Sequence, residues 1–369
     1  MTKLIIHAGL AKTGTTSLQS FLHRNKEHLK HSCNLVYSGS FLHDVSAHHK
    51  LAMLAKSQEA KIIDDELLKL KKESDGYKYA VLSSEEICTL NPIQMEFLLK
   101  IVKRYFDEVE VLFTIRPHFS LFVGSYKQQI REAFIHSGLS DFWLLARKHA
   151  RFLHFENLYR QWSDIATPLR INIRFLCTET FKEQYDGNII QNFLNYVNAE
   201  QLFSLESEKK ENVSLSSYQV SFLRNMRTHF DFLWQDNIEW DHRRFVYFCY
   251  QNVSAPFSVL GNIEDSEFVA GEILVAENCM NYFEKDWNFI VSLTENNFPS
   301  FEMVENWYAS KLMALNSKLS RSRGLSSEYA SSITESKHLV EKLFYFYLDN
   351  PEIRNLGPSE QVEFYKAKE

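Results

Sequence analysis

The run KLIIHAGLAKTGTTSL, residues 3–18, decides the fold of this chain. Residues 3–7 are largely apolar and predict a short buried strand, and apolar residues at helical spacing from Thr15 to about His31 predict a helix. Gly9 and Gly14 lie in the loop between them. Because only 11 of the 369 residues are glycine, two within one short loop indicate a tight turn of the backbone. A strand, a glycine-containing loop and a helix in this order open a parallel α/β unit.

The rest of the first half repeats this alternation. Further strands are predicted at 35–38, 79–83, 109–115 and 170–176, and helices at 47–72, 93–106, 119–136, 142–166 and 187–197. Beyond residue 212, long amphipathic helical patterns rich in aromatic residues dominate, with few strand signals, among them residues 256–260.

These patterns predict an α/β protein with a P-loop-like three-layer core, in which helices flank a central parallel sheet of four or five strands. A charged run at 206–211 marks a predicted boundary near residues 205–215. We expect a core over residues 1–212 and a mainly helical C-terminal region over residues 213–369, either an acceptor-binding or a packing subdomain.

Composition restricts the functional class. The net charge of −6 argues against a general nucleic-acid binder, which usually carries a basic face, but one local pocket of Lys and Arg suffices for a small anionic ligand. Five dispersed cysteines without a CxxC pair are typical of reduced thiols in the cytoplasm. No apolar run of about 18 residues and no signal peptide is evident, so we expect a soluble cytoplasmic protein without a membrane span.

The opening loop has the chemistry of an anion site. The first N–H groups of a helix lack backbone partners and lie at the positive end of the helix dipole, where phosphate and other oxyanions bind. Lys12 adds a full charge, and Thr13, Thr15, Thr16 and Ser17 add hydroxyl groups. The alternative is a Ser/Thr-rich helix start in which one side chain serves as N-cap.

The position of the lysine separates two kinds of nucleotide loop. Gly9 and Gly14 have the spacing of the ATP-binding pattern GxxxxGK[ST], but Thr15 stands where that pattern requires lysine. The run from Lys12 to Ser17 instead resembles the 5′-phosphosulfate loop of sulfotransferases that use 3′-phosphoadenosine 5′-phosphosulfate (PAPS). The resemblance implies that Thr13, Gly14, Thr15, Thr16 and Ser17 cradle the 5′ phosphate and that Lys12 contacts the bridging oxygen or the leaving phosphate.

A second element lies about 100 residues later. The strand at 109–115 delivers Arg116 to the edge of the sheet where ligands bind in open α/β folds, and Ser125 follows nine residues on. The planar fork of arginine suits a dianionic phosphate. The runs LFTIRP (112–117) and GSY (124–126) resemble the 3′-phosphate element of the same family, although Pro117 follows the arginine directly where the family often has Asp or Asn. The alternative is a solvent-facing arginine before a turn.

Transfer to a hydroxyl requires a base, because the attacking oxygen loses its proton. The candidates are Glu85, His49 and then His48. The His pair resembles a His-containing stretch of bacterial sulfotransferases, and residues 83–86 resemble the strand end that carries the base in the wider family. Alternatively, Glu85 is a carboxylate at a helix N-terminus and the histidines are surface or capping residues. A zinc site lacks a third ligand at a recognisable spacing.

The resemblance covers residues 3–216 and ends at a basic pair. Lys209 and Lys210 precede NVSLS (212–216) and resemble the basic loop that closes over the 3′ phosphate; alternatively they belong to a solvated charge run. The resemblance implies an enzyme that transfers a sulfuryl group from PAPS to an acceptor hydroxyl on a small molecule or glycan, in carbohydrate sulfation. It releases 3′,5′-bisphosphoadenosine (PAP) and uses no metal. The alternatives are a P-loop-type nucleotide-binding kinase and a non-catalytic protein that retains the fold.

Overall fold

The computed structural model describes most of the first two thirds of the chain. The described segments are residues 1–43, 46–131, 137–178, 188–205, 265–294 and 298–322, with residues 135, 215–217, 219–221 and 223–224 and isolated positions after residue 341. The predicted strand at 256–260 lies outside the described residues, as do Lys209 and Lys210 and most of the predicted boundary at 205–215.

The centre of the fold is one sheet of five parallel strands. They are β1 Lys3–His7, β2 Leu35–Tyr37, β3 Tyr79–Ser83, β4 Glu108–Ile115 and β5 Asn172–Cys177, in the spatial order β2-β3-β1-β4-β5. In register, Ile5 of β1 lies between Val81 of β3 and Glu110 of β4. Short, largely apolar runs made β1 to β4 predictable from the sequence. β5, which is only partly buried, was predicted from its alternating pattern. The predicted α/β class, with a central parallel sheet flanked by helices, is confirmed.

The described helices lie in the connections between strands and in two segments of the C-terminal half. They are α1 Thr15–Arg24, α2 Lys26–Cys33, α3 His49–Ser57, α4 Ala60–Glu73, α5 Pro92–Val102, α6 His118–Arg131, α7 Leu139–His149, α8 Phe155–Ala166, α9 Ile189–Tyr196, α10 Ser266–Leu293 and α11 Phe301–Ser322. Three predicted helices are divided in two. The first ends at Asn25, whose side-chain amide and backbone N–H both donate to the Phe21 carbonyl. The second is interrupted at Gln58, which has a left-handed backbone with φ 57. The third separates into α7 and α8.

Apolar side chains cover both faces of the sheet. Toward α1, α2 and α9, a continuous cluster includes Ile5 and Leu112 from the strands and Phe21 from α1. Phe113, the next residue along β4, points to the other face, where its ring packs edge-on against Trp162 of α8 at 5.5 Å. Each large apolar side chain buried in this way contributes about 1.5–3 kcal/mol.

The chain divides into two compact units. The first comprises Met1–Leu121, Ala150–Val213 and Tyr282–Trp307 and contains the whole sheet. The second comprises Phe122–His149, Ser214–Asn281 and Tyr308–Glu369. The predicted division of the chain at residue 212 falls on residues outside the described segments and stays a prediction. Within the described residues, no helix combines the length and the apolar character that crossing a membrane requires.

One buried hydrogen-bonded pair, His118 and Asp286, anchors the first unit beside the end of β4. The Asp286 carboxylate accepts hydrogen bonds from the N–H groups of Phe155 and Glu156, at 2.9 and 2.8 Å, and thereby caps α8. Its Oδ2 also lies 2.9 Å from Nε2 of His118, which is only 3% exposed. The His118 ring stacks between Phe155, at 4.3 Å, and Phe283, at 4.1 Å. The first residue of α6 is therefore fixed to α8 and α10.

We expect Asp286→Ala to lower the free energy of unfolding by about 2–3 kcal/mol, because it removes a helix cap and leaves the buried His118 nitrogen without its acceptor. Urea unfolding followed by tryptophan fluorescence measures the loss. Glu284→Ala is the matched control, since Glu284 is exposed on the same helix, and it should change stability by less than about 0.5 kcal/mol. Equal effects of the two substitutions would contradict the capping role.

Candidate functional site

The opening loop leaves the central strand of the sheet. From β1 the chain runs to β2 on one side, whereas from β4 it runs to β5 on the other. Connections that diverge in this way leave a crevice at the carboxyl ends of the strands, and ligands of open α/β sheets bind there. The loop after β1, Glu85 after β3 and Arg116 after β4 come from three neighbouring strand ends.

Both loop glycines are required by geometry. Gly9 and Gly14 each have φ +90, a conformation that side-chain-bearing residues rarely adopt. A Cβ at Gly9 would lie 3.0 Å from Cα and Cβ of Glu85, and a Cβ at Gly14 would lie 3.0 Å from Cγ2 of Ile189. The loop therefore packs against the start of the 3-10 helix Glu85–Thr89 on one side and against α9 on the other.

Arg116 holds the loop from the other neighbouring strand. Lys12 has a left-handed backbone with φ 66, which is uncommon for a residue with a side chain. The carbonyl oxygen of Lys12 accepts a hydrogen bond from Nη1 of Arg116 at 3.1 Å. The bond joins the loop to the end of β4 and brings together two residues that the sequence analysis singled out separately.

The start of α1 distinguishes the two interpretations of the loop. Gly14, and not a Ser or Thr, occupies the N-cap position and so provides no side-chain cap, and the first turn contains no acidic residue. Thr13 and Thr15 are buried, whereas Thr16 is exposed and Ser17 is half-buried. The hydroxyl-rich run therefore does not serve as a side-chain cap, and the positive end of the helix dipole is not offset by a carboxylate on α1.

A buried polar network lies beneath the loop. The Thr13 hydroxyl donates to the Leu10 carbonyl at 2.6 Å and lies 2.7 Å from the Thr114 hydroxyl. Nε2 of His7, the last residue of β1, lies 3.1 Å from Oγ1 of Thr114. The loop is thus connected through Thr114 to the carboxyl end of the central strand.

The same network reaches Glu85 on the other side. Nδ1 of His7 lies 2.7 Å from Oγ of Ser83, the last residue of β3. The side-chain amide of Gln19, on α1, donates to Oγ of Ser83 at 3.2 Å and to Oε2 of Glu85 at 2.9 Å. Sequence reasoning missed His7 and Gln19. For His7, the one signal in the sequence is a histidine that ends an otherwise apolar strand. For Gln19, the sequence contains no signal, because a polar residue is common on a helix.

The two adjacent histidines have different environments. His48 is fully buried: Nδ1 accepts a hydrogen bond from the Ser83 backbone N–H at 3.0 Å, and Nε2 lies 2.9 Å from the Ser38 carbonyl. Both ring nitrogens of His48 are bonded to backbone groups, so neither is available to take a proton from a substrate. We therefore do not propose His48 as the base. His49 is partly exposed, and its Nδ1 lies 2.8 Å from the Ser84 hydroxyl. Glu85 and His49 therefore remain as candidate bases at one strand end.

The remaining predicted residues are not brought together by the described structure. Ser125 lies on α6 in the second unit, where its Oγ is 3.5 Å from Nε2 of Gln129, whereas Arg116 belongs to the first unit. Their action on one phosphate stays a prediction. Lys209 and Lys210 lie outside the described residues. Among the residues that are described, no group of three His, Cys, Asp or Glu side chains is arranged to hold a metal ion.

The buried histidines predict a pH-dependent stability. Burial lowers the pKa of His7 and of His48 from 6.5 to about 4. Below pH 6.5 the unfolded chain binds these protons and the folded protein does not, so stability should fall as the pH falls toward 4. The limiting slope is about 1.4 kcal/mol per pH unit for each histidine.

Urea unfolding at pH 7.5, 6.0 and 5.0 measures this dependence. His48→Gln should reduce the slope by about one proton, whatever its effect on absolute stability. His31→Gln is the control, because the His31 side chain is 73% exposed, and it should leave the slope unchanged. A slope that His48→Gln does not alter would show that His48 does not bind a proton on unfolding.

Comparisons with known proteins give no relative for this chain: no family model, no curated protein and no solved structure matches it.

Proposed function

We propose that this protein is a PAPS-dependent sulfotransferase built on a P-loop-like core. The observation that carries the proposal is the meeting of three strand-end elements at the point where the sheet connections diverge. The loop after β1 provides Lys12 and a helix start with glycine at the N-cap, Arg116 after β4 bonds to that loop, and Glu85 after β3 packs against Gly9.

The donor would lie across this crevice. The N–H groups at the start of α1 and the ammonium of Lys12 suit the 5′ phosphosulfate, since such groups bind oxyanions strongly. Arg116, with Ser125 as proposed partner, suits the 3′ phosphate and would fix the position of the donor. A second phosphate on the ribose distinguishes PAPS from a nucleoside triphosphate.

The proposed reaction is an in-line transfer. The acceptor oxygen forms a bond to sulfur while the bond between sulfur and the bridging oxygen of the donor breaks. The acceptor proton passes to a carboxylate or imidazole, and the negative charge that builds on the phosphate of the departing PAP is stabilised by Lys12 and the loop N–H groups. Glu85 is the base we propose, because it is the candidate that packs directly against the loop at Gly9; His49 is second.

The proposed acceptor rests on the family resemblance, and the proposed location rests on the pattern of cysteines. We propose a hydroxyl on a small molecule or glycan, as in many bacterial proteins of the family, and action in the cytoplasm, since the cysteines lack a disulfide pattern. The kinase alternative has less support, because Thr15 stands where a Mg²⁺-dependent loop has lysine.

Calorimetry with PAP in the presence of EDTA tests the donor site. The wild-type protein should bind PAP without Mg²⁺, and Arg116→Ala should weaken binding by about 2 kcal/mol, roughly 30-fold, because charge-assisted bonds to phosphate are lost. Arg104→Ala is the control, since the Arg104 side chain is 60% exposed and precedes the opposite end of β4. Absence of PAP binding to the wild type would overturn the proposal, and tighter binding of ATP with Mg²⁺ would favour a kinase.

Two substitutions of Lys12 separate its charge from its backbone conformation. Lys12→Gly and Lys12→Ala both remove the ammonium, and each should slow the formation of PAP from PAPS by about 10²–10³-fold. The Gly variant should be more stable than the Ala variant by about 1 kcal/mol, because φ 66 suits glycine. Turnover is followed by chromatography of PAP with a panel of saccharide acceptors, and stability by thermal unfolding. Unchanged turnover in both variants would contradict the role of Lys12, and absence of turnover in the wild type would indicate a non-catalytic protein.

A further inference from the structure

The hydrogen bonds beneath the loop have a single direction. The Thr13 hydroxyl donates its one hydrogen to the Leu10 carbonyl, which can only accept. In the 2.7 Å bond between Thr13 and Thr114, the donor must therefore be Thr114. The hydrogen of Thr114 is then used, so this hydroxyl accepts from His7, whose Nε2 carries the proton.

The direction continues on the other side of His7. A neutral imidazole with its proton on Nε2 has an acceptor at Nδ1, and Ser83 donates to it at 2.7 Å. The Ser83 hydrogen is then used as well, so Oγ of Ser83 accepts from the Gln19 amide at 3.2 Å. The Leu10 carbonyl therefore sets the donor and acceptor roles of all five side chains in the network, from Thr13 to Gln19.

This order fixes the orientation of the Gln19 amide. Its NH₂ group faces two acceptors, Oγ of Ser83 and Oε2 of Glu85, the latter at 2.9 Å. With the amide flipped, its oxygen would face the Glu85 carboxylate and a serine oxygen whose hydrogen is already donated to His7. The flipped form therefore loses both bonds, and Gln19 holds Glu85 in one place.

We propose that Gln19 is a positioning residue, which holds the Glu85 carboxylate for proton transfer in an orientation set from Thr13 of the loop through Thr114, His7 and Ser83. This inference depends on the proposed function. It couples the two halves of the site: the residue that follows Lys12 in the donor loop determines the position of the base on the neighbouring strand.

Gln19→Leu tests the role, because it keeps the volume and removes both hydrogen bonds. It should slow the conversion of PAPS to PAP, with water as acceptor, by about 10- to 100-fold, since a misplaced base costs rate and not donor binding. The dissociation constant of PAP should stay within about twofold of the wild-type value. Ser20→Ala, next to Gln19 on the same helix, is the matched control and should match the wild type in both measurements.

Two double variants separate positioning from general packing. In a Glu85→Gln background, Gln19→Leu should cause no further loss of turnover, because the carboxylate it positions is gone. Thr114→Val, which breaks the network without touching Glu85, should also lower turnover, and its combination with Gln19→Leu should be no slower than Gln19→Leu alone. Purely structural effects would add in both cases and would overturn the inference.

The two proposals fail differently. A wild-type protein that binds no PAP, or that binds it without turning over PAPS, contradicts the sulfotransferase proposal itself. A wild-type protein that binds PAP and turns over PAPS, with Gln19→Leu equal to Ser20→Ala, contradicts only the role of Gln19. If Gln19→Leu does not fold, Gln19→Asn replaces it, because its shorter amide cannot span both acceptors, and the same expectations apply.

Discussion

The close approach of the Gly9 backbone to Glu85 is the constraint on which the candidate site depends. No side chain fits between them, so the loop after β1 and the end of β3 cannot move apart without losing their packing. Backbone hydrogen bonds continue past the ends of the strands. The Ser84 N–H donates to the His7 carbonyl at 2.9 Å, and the Leu10 N–H donates to the Thr114 carbonyl at 2.8 Å. The loop is consequently bonded to β4 and packed against the chain after β3, so the sheet determines its position.

Because the loop packs closely on the sheet, water cannot reach the polar groups beneath it. These groups bond to one another instead, in the network around His7. A buried polar group without a partner costs about 1–3 kcal/mol, so a histidine at the centre of a sheet must have both ring nitrogens bonded. His7 satisfies this with Ser83 and Thr114, and burial lowers its pKa to about 4, which keeps it neutral at physiological pH. An apolar residue would fill the same space without these requirements. The polar arrangement therefore contributes orientation more than stability.

The sequence predicted the parts of the structure that depend on local patterns. Apolar runs predicted four strands, an alternating pattern predicted β5, and the two glycines predicted the turn, because each signal is contained in a few consecutive residues. The breaks in the helices were missed, since Gln58 adopts a left-handed backbone that its residue type does not indicate. The burial of His48 was also missed. Its two backbone partners, at Ser38 and Ser83, are distant in sequence, and only the folded sheet brings them together.

Under the proposed function, Arg116 serves both the loop and the second phosphate site. Its guanidinium already bonds to the Lys12 carbonyl, and its planar fork carries five donors, so one side chain can hold both the loop and a phosphate. Under the proposed function, a 3′ phosphate would orient Arg116 and thereby stabilise the left-handed backbone of Lys12. The lysine that stabilises the leaving group would then be most ordered when a donor with a second phosphate is bound. A nucleoside triphosphate, which lacks that phosphate, would gain no such support. Under the proposed function, this one hydrogen bond would therefore provide a physical basis for discrimination between the two kinds of nucleotide.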